Sequence, residues 1–362
     1  MWNFAEESFM KRCTPFMVCI LLSALAGGSI LAQNKTTSAS DPPTKYNIRT
    51  LALPDNNMGD VSMDYIAYDA STNSVWVPAG NTAAIDVVDA ATGKVQQIPG
   101  LPTKEVDVRG SKRVLGPSSV SIGEGLVYIG NRGDSTACSY SSKSLARGPC
   151  AHLDSMPDAV NYVAPTKELW VFTPDDKSIH VLDQKSEWET AKLNLQGEPE
   201  GFALDAKRGR VYTNLQDKDR TIAIDLKTQK TVGNWNTSCG NELSHGLAFD
   251  GNTDHLIVAC RTFVEVLDIG RDGAVLSKLD CGDGVDDFLY LPTKHLLYVG
   301  AARAAKLTIA RVDDNGRLSV YAEVPTHEGA RNGVLDKKGN LYMAHTNIAK
   351  LSALVVLSPS VN

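Results

Sequence analysis

Long amphipathic helices, runs of basic residues, CxxC pairs and Cys/His clusters are all missing from this 362-residue sequence. Without a helix pattern there is no Gly-rich loop opening onto a helix N-terminus, so the phosphate-cradling loop motifs drop out. A net charge of −6 with no basic run is a poor match for a phosphate backbone, and no nucleic-acid partner is expected. No set of cysteines and histidines has the spacing of a zinc site. Cysteine is sparse, seven in all. Cys13 and Cys19 fall in an N-terminal apolar stretch, which leaves Cys138, Cys150, Cys239, Cys260 and Cys281. That odd number leaves at least one unpaired within the chain.

What is present is repetition. After residue 60 the chain repeats an apolar run, a short Asp/Gly/Asn turn and an apolar–aromatic–apolar triplet. The copies begin at Asp64, Ser118, Asp158, Glu200, His245, Asp286 and Arg331. A period of about 40–45 residues, with one longer step after the first copy, predicts an all-β, seven-bladed β-propeller with one four-stranded sheet per blade. In the fourth copy the strands are read at 200–204, 210–214, 220–225 and 231–235. The seventh copy supplies only three, at 332–335, 340–344 and 351–357. An orphan strand at 46–53 is expected to complete it, closing the ring and removing exposed edges. Acids recur at two turn positions. Asp69, Asp205, Asp250 and Asp336 close the first strand, and Asp89, Asp183, Asp225 and Asp268 end the third. Both sets are read as turn formers. A cross-strand disulfide is expected between Cys138 and Cys150. A second is expected between Cys239 and Cys260, which share a rim, with Cys281 as a competing partner.

At the N-terminus, Lys11 and Arg12 precede an apolar stretch at 14–31 and a small residue, Ala32. This reads as an export signal, 1–32, cleaved near Ala32. Glu6 and Glu7 are unusual ahead of such a segment, so Met10 is an alternative start. The apolar run approaches the length of a membrane span, which makes an uncleaved anchor the competing reading. Residues 33–45 read as a polar linker, and 46–362 as a single propeller. The expectation is a periplasmic or secreted monomer with no membrane span after cleavage, in a compartment that oxidises cysteine.

The seven repeat starts have a functional meaning. In a propeller the innermost strands line a central channel, and their first residues meet at one mouth. All seven ring residues, Asp64, Ser118, Asp158, Glu200, His245, Asp286 and Arg331, are polar. Asn161, Asp287 and Asn332 are placed beside them. Carboxylates crowded around a narrow axis raise one another's pKa. Compensation is expected from a bound cation, from Arg331 or a protonated His245, or from channel water. An all-oxygen set of Asp158, Glu200 and Asp286 would suit Ca2+ or Mg2+; no other cofactor is called for. The long segment 103–116, with Lys104, Arg109, Lys112 and Arg113, joins the first two blades on this rim. It is read as a solvated loop in preference to a lid. Arg132-Gly133-Asp134 is read as a turn, where Gly-Asp is common for backbone reasons. Ser118 and His245 sit three repeats apart with no nucleophile elbow, which argues against Ser/His/Asp catalysis.

Several stretches are similar to exported bacterial YncE-like (YVTN-repeat type) propellers. They are Asp-Ala-Val-Asn-Tyr at 158–162, Pro-Glu-Gly-Phe at 199–202, Gly-Leu-Ala-Phe-Asp at 246–250, Gly-Asp-Gly-Val-Asp-Asp at 282–287 and Val-Pro-Thr-His-Glu-Gly-Ala-Arg at 324–331. The resemblance spans about 46–357 and implies a seven-bladed binding scaffold. Related propellers include lactonases and lyases with a metal on the channel axis, whose ligand sets this chain does not clearly show. Two functional expectations follow. One is a non-enzymatic scaffold that binds a small polar ligand, a peptide or an envelope protein at the ringed mouth. The alternative is a metal-dependent hydrolase, lactonase or lyase at the same mouth. Asp158, Glu200 and Asp286 would then hold the cation, His245 would act as acid or base and Arg331 would stabilise an oxyanion.

Overall fold

The computed structural model describes residues 43–54, 59–108, 110–186, 188–240, 243–345 and 350–360. The expected export signal, most of the expected linker and Arg109 lie outside these residues. Each repeat folds into a four-stranded antiparallel sheet, giving seven such sheets and one separate two-stranded hairpin among the described residues. The expected strands of blade four are found at Pro199–Asp205, Arg210–Leu215, Arg220–Asp225 and Thr231–Asn236. The reason lies in burial by position. The second strand of a blade is covered on both faces by neighbouring blades, so it reads as a continuous apolar run. Ser74–Ala79, His255–Cys260 and Leu296–Ala301 are buried at every residue. The outermost strand faces solvent on one side, and Thr231–Asn236 alternates accordingly.

The core is divided among the seams between blades. Among the described residues seven apolar clusters form, one per seam, from Trp76 and Ile129 between blades one and two to Leu297 and Val264 between blades five and six. Trp76 and Trp170 are fully buried. Their indole N–H groups donate to Ser74 Oγ at 3.1 Å and to Glu168 Oε2 at 3.1 Å, so the large rings carry no unpaired donor inward.

The ring closes as the repeat count requires. Tyr46–Ala52 pairs antiparallel with Ala353–Pro359, Tyr46 opposite Pro359 and Ala52 opposite Ala353. The last blade is thus built from both ends of the propeller, and its seam with blade one is as apolar as the others. Both sets of recurring acids form turns. Asp69 accepts from the Ser71 N–H at 2.7 Å, and Asp225 from the Thr228 N–H at 2.8 Å.

Disulfides join Cys138 to Cys150 and Cys239 to Cys260, and Cys281 is a buried free thiol. Two bridges in one domain point to an oxidising compartment. Among the described residues no helix is long and apolar enough to cross a membrane. Segment 103–116 departs from expectation. It is a β-hairpin, Lys104–Val108 paired with Ser111–Leu115, in place of the expected solvated loop. Val106 alternates with Glu105 and Asp107 on its first arm, which suits a two-stranded ribbon.

Candidate functional site

The mouth is built by a repeated backbone irregularity. In blades four to seven the inner strand slips register with its neighbour after its first or second residue. The slips fall between Glu200 and Ala203, Ser244 and Leu247, Val285 and Phe288, and Ala330 and Gly333. A bulge of this kind re-aims side chains and turns two consecutive residues toward one side. The pairs so presented are Gly201-Phe202, with Glu200 just before them, His245-Gly246, Asp286-Asp287 and Arg331-Asn332. Two of them carry glycine for a reason. A Cβ on Gly246 would lie 2.2 Å from Asp287 Oδ1. Gly201, at φ +70°, would place one 2.4 Å from the His245 carbonyl. The bulges of adjacent blades therefore nest, and side chains at these glycines would push them apart.

Arg331 is the hub of the ring. Its guanidinium donates to Asp64 Oδ1 at 2.8 Å and lies 3.0 Å from Asp286 Oδ2. Asn332 Nδ2 reaches the same two carboxylates at 3.2 and 2.9 Å, and its Oδ1 accepts the Asp287 N–H at 3.0 Å. Arg132 pairs with Asp158 and stands 3.7 Å from Asp64. Across the channel, the Tyr65 hydroxyl of blade one donates to Glu200 Oε1 of blade four at 2.7 Å. His245 Nδ1 is 4.0 Å from Asp286 Oδ1.

The electrostatics follow from burial and these partners. Burial pushes Glu200 up to about 8, with the Asp286 charge adding to it. Burial also lifts Asp287 to about 7, and raises Asp64 despite Arg331. For Asp286 burial acts in the same direction, but Arg331, His245 and Asn332 together outweigh it and hold the carboxyl low. Burial lowers His245, so its imidazole is neutral near pH 7.

Above the ring opens a cavity of about 980 Å3, bordered by Met63, Gly116, Gln216, Leu243 and Val285, by the hairpin residues 112–115, and by ring members Asp64, His245, Asp286 and Arg331. Its size is at the upper end of the range for small-molecule sites.

The ring residues therefore meet, though not all in one role. Ser118 borders the cavity, but its Oγ lies 3.2 Å from the Pro157 carbonyl and 3.4 Å from the Asp158 carbonyl, in the seam to blade three. Asn161 sits within the inner strand Ala159–Val163, opposite Trp170, with a buried Nδ2 that has no hydrogen-bond partner among the described residues. Asp158, Glu200 and Asp286 each have a separate protein partner. Among the described residues the only three potential ligand atoms within 4.8 Å of one another belong to Cys239, Cys260 and Glu265, whose two sulfurs are joined in a disulfide. As arranged, the three acids do not form a chelate for Ca2+ or Mg2+. Blade three holds a separate Ser/His/acid row: Ser178 Oγ is 3.3 Å from His180 Nε2, and His180 Nδ1 is 2.7 Å from Glu189 Oε2. Ser178 and His180 are fully buried, so the row is out of a substrate's reach.

Two members of the site escaped the sequence reading, Arg132 and Tyr65. Arg132 follows the second strand of its blade, Leu126–Asn131. Second strands end on the same rim where inner strands begin, so the residues after them form a second ring. It includes Arg132, Gln216 and Arg261. Reading that second register would have found Arg132, which the Arg-Gly-Asp turn concealed.

The fold and site thus define a seven-bladed β-propeller with a charge-paired ring beneath an open vestibule. No protein family model matches the chain, and no curated protein matches its sequence. Solved structures share the architecture. Virginiamycin B lyase from Staphylococcus aureus is 12% identical, with 87% of this chain and 99% of that one covered at a TM-score of 0.66. A streptogramin B lyase is 14% identical, with 89% and 100% covered, also at 0.66. A chain of Kuenenia stuttgartiensis hydrazine synthase is 14% identical, with 85% and 97% covered at 0.69. Likeness at these identities establishes the fold and nothing of the chemistry.

Proposed function

We propose that this is an exported, YncE-like propeller that binds a small polar ligand or short peptide in the vestibule over the Asp64–Arg331–Asp286 ring. One observation carries the reading: a cavity of about 980 Å3 stands over a ring whose acids are already paired by Arg331, Asn332, Arg132 and Tyr65. A floor that is satisfied before a ligand arrives is a preorganised recognition surface. The apolar stretch at 14–31 and the two disulfides support export to the periplasm or beyond. The test is a ligand-observed NMR screen of polar metabolites, short peptides and their neutral analogues against the wild type, His245→Ala and Arg331→Met. Binders lost in both variants support the reading; a screen with no binder sensitive to either refutes it.

A second reading is lyase or hydrolase chemistry at the same mouth. It is favoured by the neutral His245 on the cavity wall, and by the likeness to lyases that include a catalytically inactive His-to-Ala variant of virginiamycin B lyase, solved with quinupristin. His245 would take or give a proton and Arg331 would stabilise developing negative charge. A divalent cation would require Arg132 and Arg331 to release Asp158 and Asp286. Turnover of a lactone or cyclic depsipeptide that His245→Ala abolishes would establish this reading; turnover retained in that variant removes His245 from it.

A further inference from the structure

Charge on the vestibule wall opposes the acidity of the ring beneath it. Five cations from separated stretches of chain border the cavity: Lys112 and Arg113 on the hairpin, Arg261 on blade five, Arg303 on blade six, and Lys350 before the last strand of blade seven. Their neutralisation is thin. Arg261 and Arg303 share one carboxylate, Asp283, at 3.0 and 3.9 Å. Lys112 pairs with Glu105 at 2.7 Å, but both side chains are more than half exposed, and such pairs are worth little in water. Arg113 and Lys350 are exposed and have no ion pair among the described residues. Among the described residues the further acids lining this wall are Asp60 and Glu198, and Asp283 and Glu105 add to them as the partners of Arg261, Arg303 and Lys112.

The floor offsets only part of that excess, because its acids are largely paired. Asp64 and Asp286 are held by Arg331, Asp158 by Arg132, and Glu200 by the Tyr65 hydroxyl. A concave wall of one sign focuses potential and concentrates counter-ions of the other sign. It is all the more notable in a chain whose net charge is −6.

We infer that the vestibule selects small anions, ligands bearing carboxylate or phosphate groups. Arg113, Arg261, Arg303 and Lys350 grip the charge while the polar remainder of the ligand reaches the ring. The inference rests on the reading of the vestibule as a binding site and narrows its ligand class. Arginine suits this task because its planar fork meets both carboxylate and phosphate in pairs of hydrogen bonds.

The experiment is a calorimetric titration of the protein with four probes: tricarballylate, inorganic pyrophosphate, the neutral tricarballylamide and the trication spermidine. The two anions are repeated at low and high salt. At least one anion is expected to bind about tenfold more tightly than the amide, to weaken as salt rises, and to lose about tenfold in the Arg113→Gln/Arg303→Gln/Lys350→Gln variant. An unchanged unfolding midpoint of that variant shows that the loss is not one of folding. Preference for tricarballylate assigns carboxylates, and preference for pyrophosphate assigns phosphates; either supports the inference. Amide or spermidine binding as tight as the anions, anion binding untouched in the triple variant, or no binding of either anion overturns it. The wider NMR screen then decides separately whether the vestibule binds anything.

Discussion

Arg331→Met removes the cation that joins Asp64 to Asp286 while keeping much of the side chain's bulk. The three side chains are 20, 17 and 16% exposed, so water touches them without solvating them fully. Breaking a buried ion pair by deleting one partner costs about 3–5 kcal/mol. Here the residual exposure, and Asn332 still donating to both acids, reduce that to about 2–3 kcal/mol. For a fold of roughly 300 residues, with an unfolding entropy of about 2.1 cal/mol/K per residue, the unfolding midpoint should drop by about 3–5 °C near neutral pH. The pH dependence gives the mechanism. In the wild type Asp286 is held low, so its contribution is present above the unfolded value of 3.8 and is lost as pH falls through the lower folded value. In the variant both carboxyls rise above their unfolded values. The penalty is then full at pH 8 and shrinks toward pH 5, where one of them keeps its proton. Calorimetric scans at pH 8 and pH 5 read this directly. A deficit equal at both pH values, or none at pH 8, would refute the charge argument.

Glu200 near 8 and Asp287 near 7 both lie above their unfolded values of 4.5 and 3.8, so the folded state holds protons that the unfolded chain gives up. Stability should therefore fall as pH rises from about 5 to 8.5, and Glu200→Gln should flatten the upper part of that fall; unfolding midpoints with parallel slopes would contradict it. Cys281 is buried and its thiol is pushed up to about 11. A chain beginning at Gln33 should accordingly show no thiol reactive to DTNB when native and one when unfolded without reductant; a native thiol that reacts at once would count against the packing. Deleting the chain through Ala52 removes the strand that pairs with Ala353–Pro359 and should yield aggregated protein on size exclusion; a stable monomer would show that closure is dispensable.

The apolar pattern alone located all seven repeat starts because second strands, buried on both faces, read as continuous apolar runs. Asp64, Glu200, His245, Asp286 and Arg331 were placed at the mouth by that pattern alone. The bulges were not legible, although Asp287 and Asn332 follow the ring positions in sequence: a slip of one residue leaves the apolar pattern of blades four to seven intact. Pairing was legible only at Arg331, because Tyr65 meets Glu200 across a separation of 135 residues. The hairpin at 104–115 escaped because its alternation is short and strongly charged. The cationic wall is assembled from residues 112, 113, 261, 303 and 350, which no local window brings together.

The central claim, that the vestibule is where this protein meets its ligand, is tested most directly by a crystal structure of the protein soaked in a mixture of small carboxylates, phosphates, amides and tripeptides. The prediction is density for one compound above the Asp64–Arg331–Asp286 ring, within hydrogen-bonding reach of Arg113, Arg303 or His245. Compounds seated only on the outer strands Thr231–Asn236, Ala274–Asp280 or Leu318–Pro325, with water alone at the mouth, would contradict it and move recognition to the outer faces of the blades.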